Sequence, residues 1–140
     1  MNMESILLVE DNADDEALAL RAFTKQDIKN KVIVARDGEQ ALDILLDKEI
    51  HEIPRVIFLD LNLPKINGFE VLEKLRANPR TSLVPVVILS SSSELIDREK
   101  SYQLGANSYV QKPVDFQEFL DVVQNLGRYW LRFNLQATMG

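Results

Sequence analysis

At four places in this 140-residue chain, polar chemistry stands directly behind an apolar run. Ile6-Leu7-Leu8-Val9 leads into Glu10-Asp11-Asn12, and Val56-Ile57-Phe58-Leu59 into Asp60. Val86–Leu89 leads into Ser90-Ser91-Ser92-Ser93, and Ser108-Tyr109-Val110 is followed closely by Lys112-Pro113. An ionised carboxylate at the tip of a buried strand is costly unless something pairs with it. If the four runs end on one rim, Glu10, Asp11 and Asp60 meet there. Like charges so close raise one another's pKa unless a cation sits among them. A hard divalent ion with oxygen ligands answers that need, and Mg²⁺ suits a site of few carboxylates plus waters and a phosphate. Lys112 and the Ser90 hydroxyl would complete a site that holds the oxygens of a transferred phosphoryl group. Positioning and charge neutralisation are most of what phosphoryl transfer requires. Asp60 would be the nucleophile, since a carboxylate can form an aspartyl phosphate.

The elements that must position these residues are legible from periodicity. The strand candidates are Ile6–Val9, Val32–Ala35, Val56–Leu59, Val86–Leu89 and Ser108–Val110. They are continuous apolar runs rather than alternating ones, as in strands buried on both faces of a parallel sheet. Between them, helical spacing predicts Asp15–Gln26 with Ala19, Ala22 and Phe23 inward, and Glu39–Asp47 with Ala41, Leu42, Leu45 and Leu46 inward. It also predicts Gly68–Ala77 with Phe69, Leu72 and Leu75 inward, a more polar Leu95–Leu104, and a last helix from Phe116. That last helix carries Phe119, Leu120, Val123 and Leu126 on one stripe, and Asp115 with Glu118 reads as its capping box. Five strand–helix units with short connections imply an α/β, doubly wound five-stranded parallel sheet. Ligands in such sheets bind beyond the carboxyl ends of the strands, where the winding direction switches. The polar residues above stand at those ends.

Composition bounds the alternatives. With 46% hydrophobic residues, the chain suits one domain with a real core. It has no cysteine, hence no disulfide framework or thiolate chemistry. The net charge of −6 and pI near 4.8 argue against a nucleic-acid partner, because no basic face is offered to phosphates. The start, MNMESILLVEDN, lacks the basic region and long apolar core of a signal peptide. No apolar run approaches the roughly 18 residues that span a bilayer. The expectation is a cytoplasmic protein without a membrane partner. His51, the sole histidine, lies in a polar connection before Pro54 and reads as a surface loop residue.

Taken together, VEDN near the start, LDLNLPKINGFEVL, VVILSSSSE and YVQKP resemble the receiver domain of two-component response regulators over roughly residues 5 to 126. The resemblance implies the flavodoxin-like (βα)5 receiver fold, with residues 1–126 as the receiver and 127–140 as an aromatic extension of the same single domain. It implies that Asp60 accepts a phosphoryl group from a histidine kinase in a Mg²⁺-dependent reaction. Asp11 would ligate the metal directly, Glu10 through a metal-bound water, and Asn62 through its backbone carbonyl. Ser90 would bond a phosphoryl oxygen, Lys112 would pair with it, and Pro113 would follow a cis peptide bond. Tyr109 would be the switch aromatic that turns inward as Ser90 moves toward the phosphate. Glu10 and Ser90 depart mildly from the family's more frequent Asp and Thr, each keeping the needed oxygen. Such a protein is a phospho-acceptor switch with self-phosphorylation and autodephosphorylation, not a metabolic enzyme.

More narrowly, VEDNADD, NSYVQKP and the tail Tyr129-Trp130-Leu131 resemble the stand-alone regulators paired with phytochromes. This implies a phytochrome-type kinase partner, no output domain, and a homodimer through the last strand, last helix and C-terminal tail. The tail has a second reading, in which it folds back on its own domain. Gly127 either ends the last helix or permits a close approach. Tyr109 also reads as a plain half-buried strand aromatic. Rival functions fare worse. A haloacid-dehalogenase-type phosphatase needs an aspartate where Asn62 stands, and a flavodoxin-like carrier would find Glu10-Asp11 repelling its flavin phosphate. A degenerate receiver, acting as a phosphate-independent interaction module, is disfavoured by the full set Glu10, Asp11, Asp60, Ser90 and Lys112. A role as a phosphate sink in a phosphorelay stays open.

Overall fold

The computed structural model describes residues 5–47, 53–113 and 115–137, so the expectation for His51 lies outside the described residues. The elements run β1 (Ile6–Val9), α1 (Ala13–Lys25), β2 (Val32–Ala35), α2 (Gly38–Leu46), β3 (Val56–Leu59), α3 (Gly68–Ala77), β4 (Val86–Ser90), α4 (Leu95–Gln103), β5 (Ser108–Gln111) and α5 (Phe116–Arg128). A π-helical turn, Tyr129–Phe133, continues α5. All strands are parallel in one sheet of order β2-β1-β3-β4-β5. This is the doubly wound flavodoxin-like order, and its winding reverses between β1 and β3.

The continuous apolar runs are explained by burial on both sides. Leu7, Val9, Ile57, Leu59, Val86 and Ile88 face α2 and α3, where they pack with Leu42, Leu45, Val71, Leu72 and Leu75. The alternating residues Ile6, Leu8, Val56, Phe58, Val87 and Leu89 face α1 and α5, where they pack with Ala22, Phe23, Phe119, Leu120 and Val123. Each apolar side chain of β1, β3 and β4 therefore has an apolar layer to enter, whichever way it points.

Helix starts follow their caps. Helix α1 begins at Ala13, two residues earlier than the apolar spacing suggests, because the Asn12 side chain accepts from the Asp14 and Asp15 N–H groups. Asp37 caps α2 through Gln40, Asn67 caps α3 through Glu70, and Asp115 caps α5 through Gln117. Gly127 does not end α5. A Cβ there would stand 2.8 Å from Ile28 Cδ1, so the close approach is made by the chain's own residue after α1. Beyond it, Trp130 and Leu131 pack on the α1–α5 core, and Arg55 donates to the carbonyls of Trp130 and Asn134. The start of the tail thus folds back on the domain, while Tyr129, Phe133 and Leu135 remain exposed. Among the described residues, no helix is long and apolar enough to cross a membrane.

Candidate functional site

The carboxyl ends of β1 and β3 lie side by side, in the register Val9↔Leu59. Their next residues, Glu10 and Asp60, therefore emerge together at the point where the winding reverses. The backbone holds them there: Glu10 N–H donates to Ala35 O at 2.9 Å, and Asp60 N–H to Val9 O at 3.1 Å. Helix α3 presses on the same point. A Cβ on Gly68 would stand 2.4 Å from Asp60 O and 2.7 Å from Leu61 Cα, so only glycine lets the α3 N-terminus close on the end of β3.

Glu10, Asp11 and Asp60 converge, with one carboxylate oxygen from each lying within 4.8 Å of the others. Glu10 is 3% exposed and Asp60 7%, whereas Asp11 opens to solvent. The Asn62 N–H donates to Asp60 Oδ1 at 3.2 Å, which orients the carboxylate. Lys112 lies across the group. Its Nζ donates to Glu10 Oε1 at 2.5 Å, to Asp15 Oδ2 at 2.9 Å and to Asp60 Oδ2 at 3.2 Å. The lysine is itself fixed by its backbone N–H, which donates to Ser90 O at 2.7 Å. Burial pushes the Glu10 carboxyl up to about 7; the neighbouring Asp60 charge adds to the rise and Lys112 opposes it. Burial alone would lower the Lys112 ammonium, but its hydrogen bonds to Glu10 and Asp15, with the field of Asp60, hold it above the usual lysine range.

Ser90 ends β4 and is fully buried, and its Oγ accepts from Ser92 N–H at 3.2 Å. Ser92 is tied to α4, donating to Asp97 Oδ2 at 2.6 Å and accepting from Glu94 N–H at 3.2 Å. Tyr109 is half-buried, with its ring against the α2–α3 core and its hydroxyl donating to Ser92 O at 3.0 Å. Two expectations need revision. Among the described residues no peptide bond is cis, so Pro113 follows a trans bond, the form an X–Pro bond favours by roughly 0.5–1 kcal/mol. The second concerns Asp15, which belongs to the site although sequence reasoning placed it only at a helix start. The available signal was its position four residues after Asp11, at the start of the helix that follows the β1 end.

The donor set fits a hard divalent cation. It consists of carboxylate oxygens on a solvent-open rim, with neither sulfur nor imidazole, and Mg²⁺ or Mn²⁺ takes such ligands. Glu10, Asp11 and Asp60 would hold the ion.

The profile of the response regulator receiver domain matches residues 6–124, and the chain belongs to that family. Receiver domains are signalling switches. At the level of particular proteins, the chain is 36% identical over 129 residues to response regulator Rcp1 of Synechocystis sp. (strain ATCC 27184 / PCC 6803 / Kazusa), an alignment covering 90% of this chain and 88% of Rcp1. It is 38% identical over 134 residues to the probable methanogenesis regulatory protein FilR2 of Methanothrix harundinacea (strain 6Ac), covering 92% and 84%. Among solved structures, the phosphorylated cyanobacterial phytochrome response regulator RcpA superposes with a TM-score of 0.90 at 33% identity, over 96% of this chain and 99% of that one. The Mn²⁺-bound form of Rcp1 superposes with a TM-score of 0.87 at 34% identity, again over 96% and 99%. The chain is thus similar to stand-alone regulators associated with phytochromes.

Proposed function

We propose that this protein is a single-domain response regulator that accepts a phosphoryl group on Asp60 from the phosphohistidine of a histidine kinase. The observation that carries the reading is the convergence of Glu10, Asp11 and Asp60 with Lys112 held across them. In the transfer, an Asp60 carboxylate oxygen forms a bond to phosphorus while the bond from phosphorus to the donor nitrogen breaks, and the imidazole leaves. In hydrolysis, water attacks phosphorus and the bond to the Asp60 oxygen breaks, returning the carboxylate and inorganic phosphate. Bound Mg²⁺ supplies the charge neutralisation that lets an anionic donor approach an anionic nucleophile. Glu10, Asp11, Asp60 and the Asn62 carbonyl are the groups assigned to hold it. Lys112 takes a phosphoryl oxygen, Ser90 bonds another, and Tyr109 follows the movement of the Ser90–Ser92 segment to which its hydroxyl is tied. That coupling makes the charge change a local event with a distant readout, through protein–protein contact.

The near full-length likeness to RcpA and Rcp1 supports a phytochrome-type kinase as the donor. The exposed Tyr129, Phe133 and Leu135 support a homodimer through β5, α5 and the tail, since clustered exposed apolar side chains mark contact surfaces. A cytoplasmic site of action follows from the kinase partner.

The test is intact-protein mass spectrometry after incubation with Mg²⁺ and a small acyl-phosphate donor, on wild type and Asp60→Asn, with the same samples sized on a column. The expected result is an added phosphoryl mass that needs Mg²⁺ and is absent from the variant. Folded, Mg²⁺-binding protein that gains no mass from either the small donor or a phosphorylated kinase would leave only a phosphate-independent interaction module. A monomer in both states would exclude the dimer.

A further inference from the structure

We propose that Asp15 is a positioning residue for Lys112: it holds the ammonium at the edge of the site, so that a cation can take Glu10 and Asp60, and releases it when a phosphoryl oxygen arrives. This deepens the phospho-acceptor reading and rests on it. An ammonium has three N–H donors and no acceptor. In this structure all three point at carboxylates, those of Glu10, Asp15 and Asp60. Until a cation takes Glu10 and Asp60, no donor is left for a phosphoryl oxygen unless one contact is given up.

Burial decides which contact yields. The side chains of Glu10 and Asp60 are almost enclosed, so in the metal-free site a carboxylate abandoned there stays unpaired and desolvated. The Asp15 side chain is 39% exposed, so water can replace the lysine. Its backbone is fixed meanwhile, because the Asp15 N–H is bonded to Asn12 Oδ1 in the α1 cap. The carboxylate is therefore presented to Lys112 from a rigid turn and can let go without loosening the helix. The same geometry bears on the metal. Lys112 and a divalent cation compete for Glu10 and Asp60, and Asp15 offers the ammonium another place to rest while the cation is bound.

The test uses Asp15→Asn, which keeps the side chain's shape and removes its charge. Calorimetric titration with Mg²⁺ alone should give a dissociation constant raised about two- to fivefold, the size of a partly exposed ion pair. The effect should vanish when Lys112→Ala is the background, and Asp15→Glu should restore wild-type affinity. At saturating Mg²⁺, Asp15→Asn should take up phosphoryl groups from a small acyl-phosphate donor about twofold faster or more, since Lys112 no longer has to leave Asp15. An unchanged Mg²⁺ affinity would overturn the role. So would a change that persists in the Lys112→Ala background, an Asp15→Glu variant that behaves like Asp15→Asn, or an uptake rate that stays level or falls. If Lys112→Ala does not fold, the Asp15→Glu comparison decides. Wild type that binds Mg²⁺ but takes no phosphoryl group would count against the phospho-acceptor reading, while the metal titrations still judge Asp15.

Discussion

At the centre of the sheet, β1, β3 and β4 are buried along their whole length, whereas α4 buries only Ser101 and β5 is half-exposed. The carboxylates stand on the first region. The second is held by other means: Lys100 lies 4.5 Å from the centre of the Phe69 ring, Ser92 bonds Asp97, and Tyr102 Oη accepts from Tyr109 N–H at 3.1 Å. Polar and cation–π contacts of this kind contribute little each and break without opening a core. The carboxylates therefore sit where the fold is fully buried, and the neighbouring α4–β5 edge is where local opening costs less. A charge change on the rigid part can be read out by the loose one.

The largest expected effect tests that contrast directly. Leu72 is fully buried in α3, and Leu72→Ala should cost about 2–5 kcal/mol. Ile96 in α4 is 68% exposed, and Ile96→Ala should stay within about 0.5 kcal/mol. Urea unfolding measures both. Comparable losses would mean that α4 is a core element, and the contrast would fail.

The next effect concerns the seam between the two regions. Arg76 of α3 donates to the carbonyls of Ser82, Val84 and Gly105 and to Asn107 Oδ1, joining α3 to the segments before β4 and β5. Burial lowers the pKa of its guanidinium. Arg76→Ala should destabilise by about 1.5–3 kcal/mol, as for hydrogen bonds from a charged group, and should raise amide exchange in β5 more than in β1. Equal exchange in the two strands would show that the seam does not separate them.

The rim should also respond to pH. With the Glu10 carboxyl raised from 4.5 to about 7, the native state holds that proton more tightly than the unfolded chain does. Metal-free protein should therefore lose stability as pH rises from about 4.5 to about 7, by up to about 3 kcal/mol, and the contribution is gone above that window. Mg²⁺ binding needs the ionised carboxylate, so it should strengthen over the same rise. Glu10→Gln should flatten the stability profile, as read from urea midpoints at pH 5.5 and 8 in a chelator. A slope that survives in this variant would assign the titration elsewhere.

The same division separates what the sequence shows from what it hides. Strands buried on both faces declare themselves as continuous apolar runs, which is why Ile6–Val9 and Val56–Leu59 have the same bounds in sequence and structure. The polar residues that follow them fall on the rim by chain connectivity alone. Contacts made between elements leave no such mark. Asp15 on Lys112 spans 97 positions, and the Arg55 bond to Trp130 O spans 75. Arg76 reads as an ordinary surface cation on an amphipathic helix, because the carbonyls it gathers come from loops whose paths only the tertiary fold decides. Asp14 reads as lying ahead of α1 and Asp15 only as its first residue, until the Asn12 cap is seen to begin the helix before both.

The smallest effect lies where the regions touch. Tyr109 packs its ring against the α2–α3 core and sends its hydroxyl to Ser92 O, two residues beyond Ser90. Tyr109→Phe keeps the ring and removes that bond, so stability should fall by only about 0.5–1.5 kcal/mol. The local consequence should be larger than the global one. Ser92 also receives the start of α4 and donates to Asp97, so losing its carbonyl partner should speed amide exchange through residues 91–97 while α3 stays protected. If exchange rises equally in α3 and in residues 91–97, the tyrosine is an ordinary core side chain. If it rises only around Ser92, this hydroxyl is the physical link by which a change at the β4 end reaches the loose edge.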